Sequence, residues 1–169
     1  MSPTSMSGGG GERAVIVRPA READVPALGR LAAALVAFHV AIDPLRFMNI
    51  ENAEVGYGRW LGKESADPEA LVLVAEREGA VVGYAYARLE PKSYNELREA
   101  CAVLHDILVA PEARGTGAGE ALLRAVAREM KARGAPRLLL LTAKDNVTAQ
   151  RLFAKVGFET TMLEMKLEL

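Results

Sequence analysis

Three glycines alternate with other residues in Arg114–Gly119, where a strand pattern gives way to a helix pattern. The apolar run Ile107–Val109 comes before them, and a helical pattern from Glu120 to Arg133 follows. Glycine adopts backbone angles that a Cβ atom forbids, and it lets a ligand approach the main chain closely. The start of a helix offers N–H groups without partners at the positive end of the helix dipole. The stretch therefore predicts an anion site, and phosphate is the usual anion.

Two familiar phosphate-binding motifs are absent from this stretch. A P-loop ends in Gly-Lys-Ser/Thr, which does not occur here. The spacing of Gly115, Gly117 and Gly119 does not match the Gly-x-Gly-x-x-Gly fingerprint of dinucleotide-binding proteins. A tight turn with a glycine cap is the alternative interpretation, because short motifs are weakly specific.

Composition restricts the class of protein. A chain of 169 residues, half of them hydrophobic and a quarter charged, fits one globular domain with a real core. The net charge of −1 indicates no general affinity for nucleic acid or an anionic membrane, so we expect neither as a partner. The single cysteine, Cys101, excludes an internal disulfide and favours a reducing compartment. With two histidines and no His-Glu-x-x-His pattern, we expect no metal site.

The start of the chain differs from the rest in composition. Residues 1–13 are rich in serine and glycine and lack the basic-then-apolar pattern of a signal peptide. We interpret them as a flexible tail and residues 14–169 as one domain. The longest apolar stretch, Leu31–Ile42, contains His39 and is too short to span a bilayer, so we expect a cytoplasmic protein.

Hydrophobic periodicity predicts the element order β-α-α-β-β-β-α-β-α-β. The predicted strands cover residues 14–17, 71–75, 81–87, 102–109, 138–141 and 160–167, and the predicted helices cover 24–39, 49–61, 116–132 and 146–156. The second and third strands form an antiparallel hairpin, while the fourth and fifth are parallel and joined by a right-handed crossover helix. The fifth strand is wholly apolar, which predicts burial on both faces. The fold class is therefore α/β (α+β), with a mixed central sheet flanked by helices.

Two segments together resemble a known family. The first is Arg114-x-x-Gly117-x-Gly119, and the second begins 32 residues after Arg114 as Asn146-x-x-Ala149-x-x-Leu152-Phe153-x-Lys155-x-Gly157-Phe158. This pair resembles the GNAT superfamily of N-acetyltransferases, most strongly from Val103 to Phe158. The resemblance implies a GNAT-like fold and acetyl-CoA as a cosubstrate, with no metal.

The resemblance also implies where acetyl-CoA binds. In this family the fourth and fifth strands splay apart, the pantetheine arm lies along the edge of the fourth strand, and the glycine loop grips the pyrophosphate. The implied cofactor-binding residues are Ile107, Leu108, Val109, Arg114, Gly115, Thr116, Gly117, Ala118, Gly119, Asn146 and Phe153. Asparagine is also a good helix N-cap, so Asn146 has a structural interpretation beside the functional one.

His105 is the candidate catalytic base. Several members of the family carry a Glu or His at this place, and imidazole titrates near neutral pH, as a base for an amine requires. Strict alternation along the strand predicts that His105 shares a face with Ile107 and Val109, and that Asp106 points to the opposite face. A packed strand histidine bonded to the backbone is the alternative. An acidic residue such as Asp106 is also a candidate to recognise a cationic acceptor.

The residue that would serve as acid departs from the family pattern. Many members have a tyrosine seven residues after the asparagine, and this chain has Phe153, which cannot donate a proton. Water, Tyr84, Tyr86 and Tyr94 are the remaining candidates to protonate the thiolate.

The acceptor side is less defined by sequence. His39, Asp43 and Tyr94 are the expected substrate-binding residues, with a solvated helix connection as the alternative for the first two. The expected function is acetyl transfer from acetyl-CoA to a primary amine of a small molecule by direct attack. The alternatives are acetylation of a protein N-terminus or lysine, and a non-catalytic acyl-CoA-binding module. A homodimer is left open.

Overall fold

The computed structural model describes residues 14–169, so the predicted tail at 1–13 lies outside the described residues. The strands are β1 (Ile16–Pro19), β2 (Ala70–Arg77), β3 (Ala80–Glu90), β4 (Cys101–Val109) and β5 (Leu138–Leu140). The helices are α1 (Val25–Ile42), α2 (Ala53–Glu64), α3 (Ala118–Ala132) and α4 (Val147–Val156), and short 3-10 turns at Glu22–Asp24 and Pro111–Ala113 precede α1 and α3.

One sheet organises these elements. Its strands lie in the order β1-β2-β3-β4-β5, and neighbouring strands are antiparallel except for the parallel pair β4–β5. The hairpin between β2 and β3 turns at Glu78 and Gly79, both of which have positive φ, as a tight hairpin turn requires. The expected mixed sheet is thus present.

Helices cover both faces of the sheet and create two cores. On one face, α3 and α4 pack over a cluster that includes Leu73, Leu104 and Leu122. On the other face, α1 and α2 pack over a cluster that includes Leu28, Val74 and Tyr84. Strands β2 and β3 have helices on both sides, which explains their long apolar runs.

A β-bulge interrupts β4 at His105. Tyr86 pairs with Asp106, but the next residue of β3, Ala87, pairs with Leu104, so His105 is the extra residue. Before the bulge, the Ala102 N–H donates to Arg137 O, towards β5. After it, the Ala110 N–H donates to Val82 O, towards β3. The inserted residue therefore exchanges which edge of β4 the odd and even residues face.

The bulge overturns the predicted faces of β4. Ile107 and Val109 pack against the α3–α4 core, whereas the His105 ring stacks on Tyr86, which belongs to the α1–α2 core. Asp106 bonds to Tyr57 of α2, so it also lies on the α1–α2 side. The prediction that His105 shares a face with Ile107 and Val109, opposite Asp106, was wrong, because strict alternation does not survive an inserted residue.

The predicted closing strand is also wrong. Residues 158–169 form no helix or strand, and Met162, Leu163, Met165 and Leu167 are all exposed. Two ion pairs instead tie this segment to the α1–α2 connection: Arg46 with Glu164 and Asp43 with Lys166. Alternation in the sequence supplied the pattern of a strand, but no neighbouring strand pairs with it. Without that neighbour β5 is half-buried, and the expectation of burial on both faces fails.

The helical segment Glu22–Ile42 is 21 residues long, so by length and composition alone it is a candidate membrane span. It is longer than the apolar stretch Leu31–Ile42, which we expected to be too short for a span. In the fold, Leu28 and Ala32 of this segment have no exposed surface and pack against the sheet, while most of its other residues are not buried.

Close contact between α1 and α2 depends on glycine. A Cβ at Gly58 would lie 3.0 Å from the Cα of Gly29 and 3.0 Å from the carbonyl oxygen of Val25. The same addition at Gly56, on the same helix, would meet no atom within 4 Å. The two glycines therefore differ in packing although both lie in α2.

We predict that Gly58→Ala lowers stability and Gly56→Ala raises it. Alanine is favoured over glycine in a helix interior by about 1 kcal/mol, and only at Gly58 does the added methyl force the helices apart. Thermal unfolding followed by circular dichroism should give a lower Tm for Gly58→Ala and a Tm at or above that of the parent for Gly56→Ala. Equal shifts of the same sign would refute this account of the helix contact.

Candidate active site

Strands β4 and β5 form a fork. Their pairing starts at Ala102 with Leu138 and ends at Leu104 with Leu140, while β4 continues to Val109. Because the bulge switches the edges, the backbone N–H and C=O groups of Ile107 and Val109 face the side that β5 has left. An edge of this kind can accept an extended ligand as an additional strand.

The glycine loop extends β4 into a cluster of free amides. The N–H groups of residues 115–119 have no acceptor among residues 14–169. Gly115 and Gly117 have φ of +78° and +83°, and a Cβ on either would meet no atom within 4 Å. The Arg114 N–H differs, because it donates to Pro111 O at 3.2 Å. The loop thus presents open space lined by N–H groups at the start of α3.

The other residues of this loop have structural partners. A Cβ at Gly119 would lie 2.9 Å from the Leu152 side chain, so this glycine permits the close packing of α3 on α4. The Thr116 hydroxyl donates to Ala113 O at 2.7 Å, Ala118 is buried, and the side chain of Leu108 packs against the α1–α2 core. The Thr116 and Ala118 side chains stabilise the loop, while its backbone N–H groups stay open, and Leu108 belongs to β4.

Asn146 caps α4, as the structural interpretation predicted. Its Oδ1 accepts the Ala149 N–H at 3.3 Å, and its Nδ2 donates to no atom of residues 14–169. The capping role therefore leaves the amide donor available. Phe153, two turns further along α4, is buried and packs edge to face with Phe158 at 6.0 Å between ring centroids.

His105 lies where the fork opens, one residue beyond the last β4–β5 pair. Its Nε2 is 2.8 Å from Glu90 Oε1, and its ring stacks on Tyr86 with 5.3 Å between centroids. Its side chain is 38% exposed. The imidazole is thus held by two contacts and still reaches solvent, so the alternative of a fully packed histidine bonded to the backbone does not describe it.

A buried polar network that the sequence did not predict lies beside His105. Tyr57 and Tyr84 donate their hydroxyls to Asp106 Oδ2 at 2.7 and 3.1 Å. Burial raises the pKa of Asp106, and burial likewise raises the pKa values of both tyrosines, which keeps the phenols protonated. The available signal was an aspartate next to His105 within a strand whose other residues are apolar, but nothing in the sequence linked it to Tyr57.

None of the three candidate tyrosine acids has a hydroxyl that is both free and held at the fork. Tyr84 donates to Asp106, and Tyr86 donates to Glu64 at 2.7 Å. Burial raises the pKa of Tyr86, which makes it a weaker acid. Tyr94 is 86% exposed in the loop after β3, where it lines an open depression of about 470 Å³.

The expected acceptor residues of the α1–α2 connection are already engaged by protein groups. His39 stacks on Phe47 with 4.6 Å between ring centroids, and burial lowers its pKa. Asp43 accepts the N–H groups of Leu45 and Arg46, and its ion pair with Lys166 lowers the pKa of its carboxyl. The structure therefore does not bring His39, Asp43 and Tyr94 together in one pocket. Within residues 14–169, no group of three or more His, Cys, Asp or Glu side chains is arranged to hold a metal ion.

Comparison with known proteins agrees with this geometry. Residues 41–158 match the model of the acetyltransferase (GNAT) family. A mycothiol acetyltransferase of Saccharomonospora viridis is 30% identical over 101 residues, which are 59% of this chain and 33% of that protein, so the chain spans about a third of this curated relative.

Solved structures share the fold. A mutant of the BH1408 protein from Bacillus halodurans superposes with a TM-score of 0.80 at 21% identity, covering 91% of this chain and 99% of that one. An aminoglycoside N-acetyltransferase, AAC(6')-Iy, in complex with CoA, superposes with a TM-score of 0.70 at 18% identity, covering 98% and 99%. With the family model matching more than half of its length, the chain belongs to the acetyltransferase (GNAT) family.

We predict that His39 makes stability depend on pH below neutrality. Its pKa is lower in the folded than in the unfolded chain, so the unfolded state takes up the proton first and stability falls as pH drops through the unfolded value near 6.5. Urea unfolding at about pH 7 and pH 5 should show a smaller loss of stability for His39→Gln than for the parent chain. An equal loss in both proteins would exclude His39 as a cause.

Proposed function

We propose that this protein transfers an acetyl group from acetyl-CoA to a primary amine of a small molecule. The observation that carries the proposal is a surface of unpaired backbone groups in two parts, one along the end of β4 and one at the start of α3, separated by Ala110, Ala113 and Arg114, whose N–H groups have acceptors in the protein. It begins with Ile107 and Val109 at the fork and ends with the free amides of residues 115–119. An extended chain that ends in a pyrophosphate matches both parts of this surface.

The residues fit acetyl-CoA on structural grounds. A Cβ added at Gly115 or Gly117 would enter space that no protein atom occupies. The backbone amides of this loop suit phosphate oxygens. The edge of Ile107 and Val109, together with the unused Nδ2 of Asn146, suits the amide groups of pantetheine. Acetyl-CoA, when bound, would supply the acetyl group as a reactive thioester.

His105 is the proposed general base. An ammonium ion has no lone pair, so the acceptor nitrogen must lose a proton to attack, and His105 accepts it directly or through water. As the new N–C bond forms and the C–S bond breaks, the nitrogen releases its second proton to solvent, and the N–H of Ile107 is available to stabilise negative charge on the acetyl oxygen. Phe153 has no ionisable proton, Tyr84 and Tyr86 donate their hydroxyls to carboxylates, and Tyr94 is exposed in the loop after β3, so the proton for the departing thiolate comes from solvent.

The acceptor class rests on relatives. Those named above are a mycothiol acetyltransferase and an aminoglycoside N-acetyltransferase, and both names describe action on a small molecule. We therefore rank a small-molecule amine above a protein amine as the acceptor. We also propose that the protein acts in the cytoplasm. An amine panel of polyamines, amino acids, aminoglycosides and arylalkylamines, with release of free thiol as the readout, tests this choice. No thiol release with any member would favour a protein acceptor or a non-catalytic acyl-CoA-binding module.

We predict that Gly117→Val abolishes CoA binding. The branched side chain would occupy the space that the amides line, and it would also strain a backbone with φ of +83°. Gly134→Val is the matched control, because Gly134 has φ of +87°, open space around it, and a position at the far end of α3. Both variants should lose stability, but only Gly117→Val should weaken CoA binding in calorimetry, by more than tenfold. Similar CoA affinities in the two folded variants would refute the proposal that the amide cluster binds CoA.

We predict that His105→Ala lowers kcat near neutral pH by roughly 10²-fold or more, which is the usual contribution of a general base. Alkaline pH should restore part of the rate, since it supplies neutral amine without a base. The CoA affinity should not change, because the amide cluster lies beyond the end of β4. Steady-state kinetics across pH provides the test, and a parent-like rate at every pH would remove His105 from the mechanism.

A further inference from the structure

Glu90, the last residue of β3, is held on both of its carboxylate oxygens. Oε1 lies 2.8 Å from His105 Nε2, and Oε2 accepts a hydrogen bond from Arg98 Nη2 at 2.9 Å. The Glu90 side chain is 26% exposed, so these contacts are partly shielded from water. The proposed function uses His105 but gives no reason for this arrangement.

Arg98 is itself fixed by further contacts. Its Nε donates to Glu96 Oε2 and its Nη1 to Cys101 Sγ, both at 2.8 Å. Its backbone N–H and C=O each bond to Ser93 at 2.9 Å, which closes the loop after β3 on itself. The guanidinium therefore has a defined position, and it defines the position of the Glu90 carboxylate in turn.

The position of the Glu90 carboxylate decides which nitrogen of the His105 imidazole carries the proton. An ionised carboxylate only accepts hydrogen bonds, so the Nε2 of His105 must carry the proton that joins it to Glu90. In the neutral ring, Nδ1 then holds the lone pair. The stacked Tyr86 ring limits rotation of the imidazole, so Nδ1 keeps one direction.

We propose that Glu90 is the positioning residue of His105, and that it makes Nδ1 the atom that accepts the proton. Arg98 completes the unit, because it holds the second oxygen of Glu90 and joins the 91–98 loop to the base. This inference rests on the proposed function in one respect, the role of His105 as base. The contact itself can be measured without any substrate.

Other charged or titratable groups surround His105, and they come from β3, β4, α2 and the loop: Tyr86, Asp106, Glu64 and Arg98. None of them hydrogen-bonds to the His105 ring within the described residues, while Glu90 does. Removal of Glu90 alone should therefore release the ring.

The test is nitrogen-15 NMR of the histidine rings at alkaline pH, where both rings are neutral. The chain has two histidines, so His39→Gln assigns the two sets of signals. In the parent chain, His105 should be in the Nε2–H form with a slowly exchanging Nε2–H proton. In Glu90→Met, that proton should exchange too quickly to be observed. Glu96→Met is the matched control, since Glu96 bonds to Arg98 but not to His105.

Kinetics of the same variants shows whether the contact serves catalysis. Glu90→Met should lower kcat by about tenfold or more, a part of the general-base contribution, and leave the KM for acetyl-CoA unchanged. Glu96→Met should leave both near the parent values. If Glu90→Met does not fold, Arg98→Gln provides the second variant, because it frees one carboxylate oxygen and should speed exchange of the same proton.

Three results would overturn the proposal. One is a parent chain in which His105 carries its proton on Nδ1, and another is an Nε2–H proton that exchanges equally fast in the parent and in Glu90→Met. The third is loss of the protected proton in Glu90→Met with an unchanged kcat. If the parent chain transfers acetyl groups to no amine, the proposed function fails, while the NMR experiment still decides whether Glu90 orients His105.

Discussion

The single residue inserted into β4 at His105 is the constraint on which the candidate site depends. A regular strand would send Ile107 and Val109 to hydrogen-bond with β3, and it would place His105 and Asp106 on opposite faces. The bulge turns the backbone groups of Ile107 and Val109 towards the fork and brings both polar side chains to the α1–α2 side. One local irregularity thus separates the open backbone edge from the polar side chains of the same strand.

The glycines of this chain serve two different physical purposes. Gly115 and Gly117 adopt positive φ and leave empty space, so they expose amides to a ligand. Gly58 and Gly119 leave no space, because a helix or a leucine side chain packs directly against them. The first pair leaves the backbone open and the second contributes to packing density, although all four look alike in the sequence.

Charge is distributed unevenly around the fork. On the α1–α2 side, Asp106 is buried with two phenols as its donors, while Glu90 and Glu64 each bond to an arginine. On the opposite side, the amide cluster carries no formal charge, and it favours anions through the dipole of α3 and its unpaired N–H groups. The α1–α2 side of the fork therefore carries carboxylates, while the start of α3 carries unpaired N–H groups.

The sequence by itself determined the fold class and the location of the amide cluster between β4 and α3. Periodicity located nearly every strand and helix, and the glycines between a strand and a helix marked the amide cluster, because these features depend on neighbours in the chain. Asn146 could likewise be recognised as a cap from its place before a helical pattern.

Tertiary structure alone decided three other features. The bulge at His105 depends on pairing between strands, which is not encoded by the alternation of β4 itself. The Glu90–His105 and Tyr57–Asp106 contacts join residues 15 and 49 positions apart, so no local pattern reveals them. Residues 160–167 have the alternation of a strand but remain unpaired, because a strand exists only where a neighbouring edge accepts its hydrogen bonds.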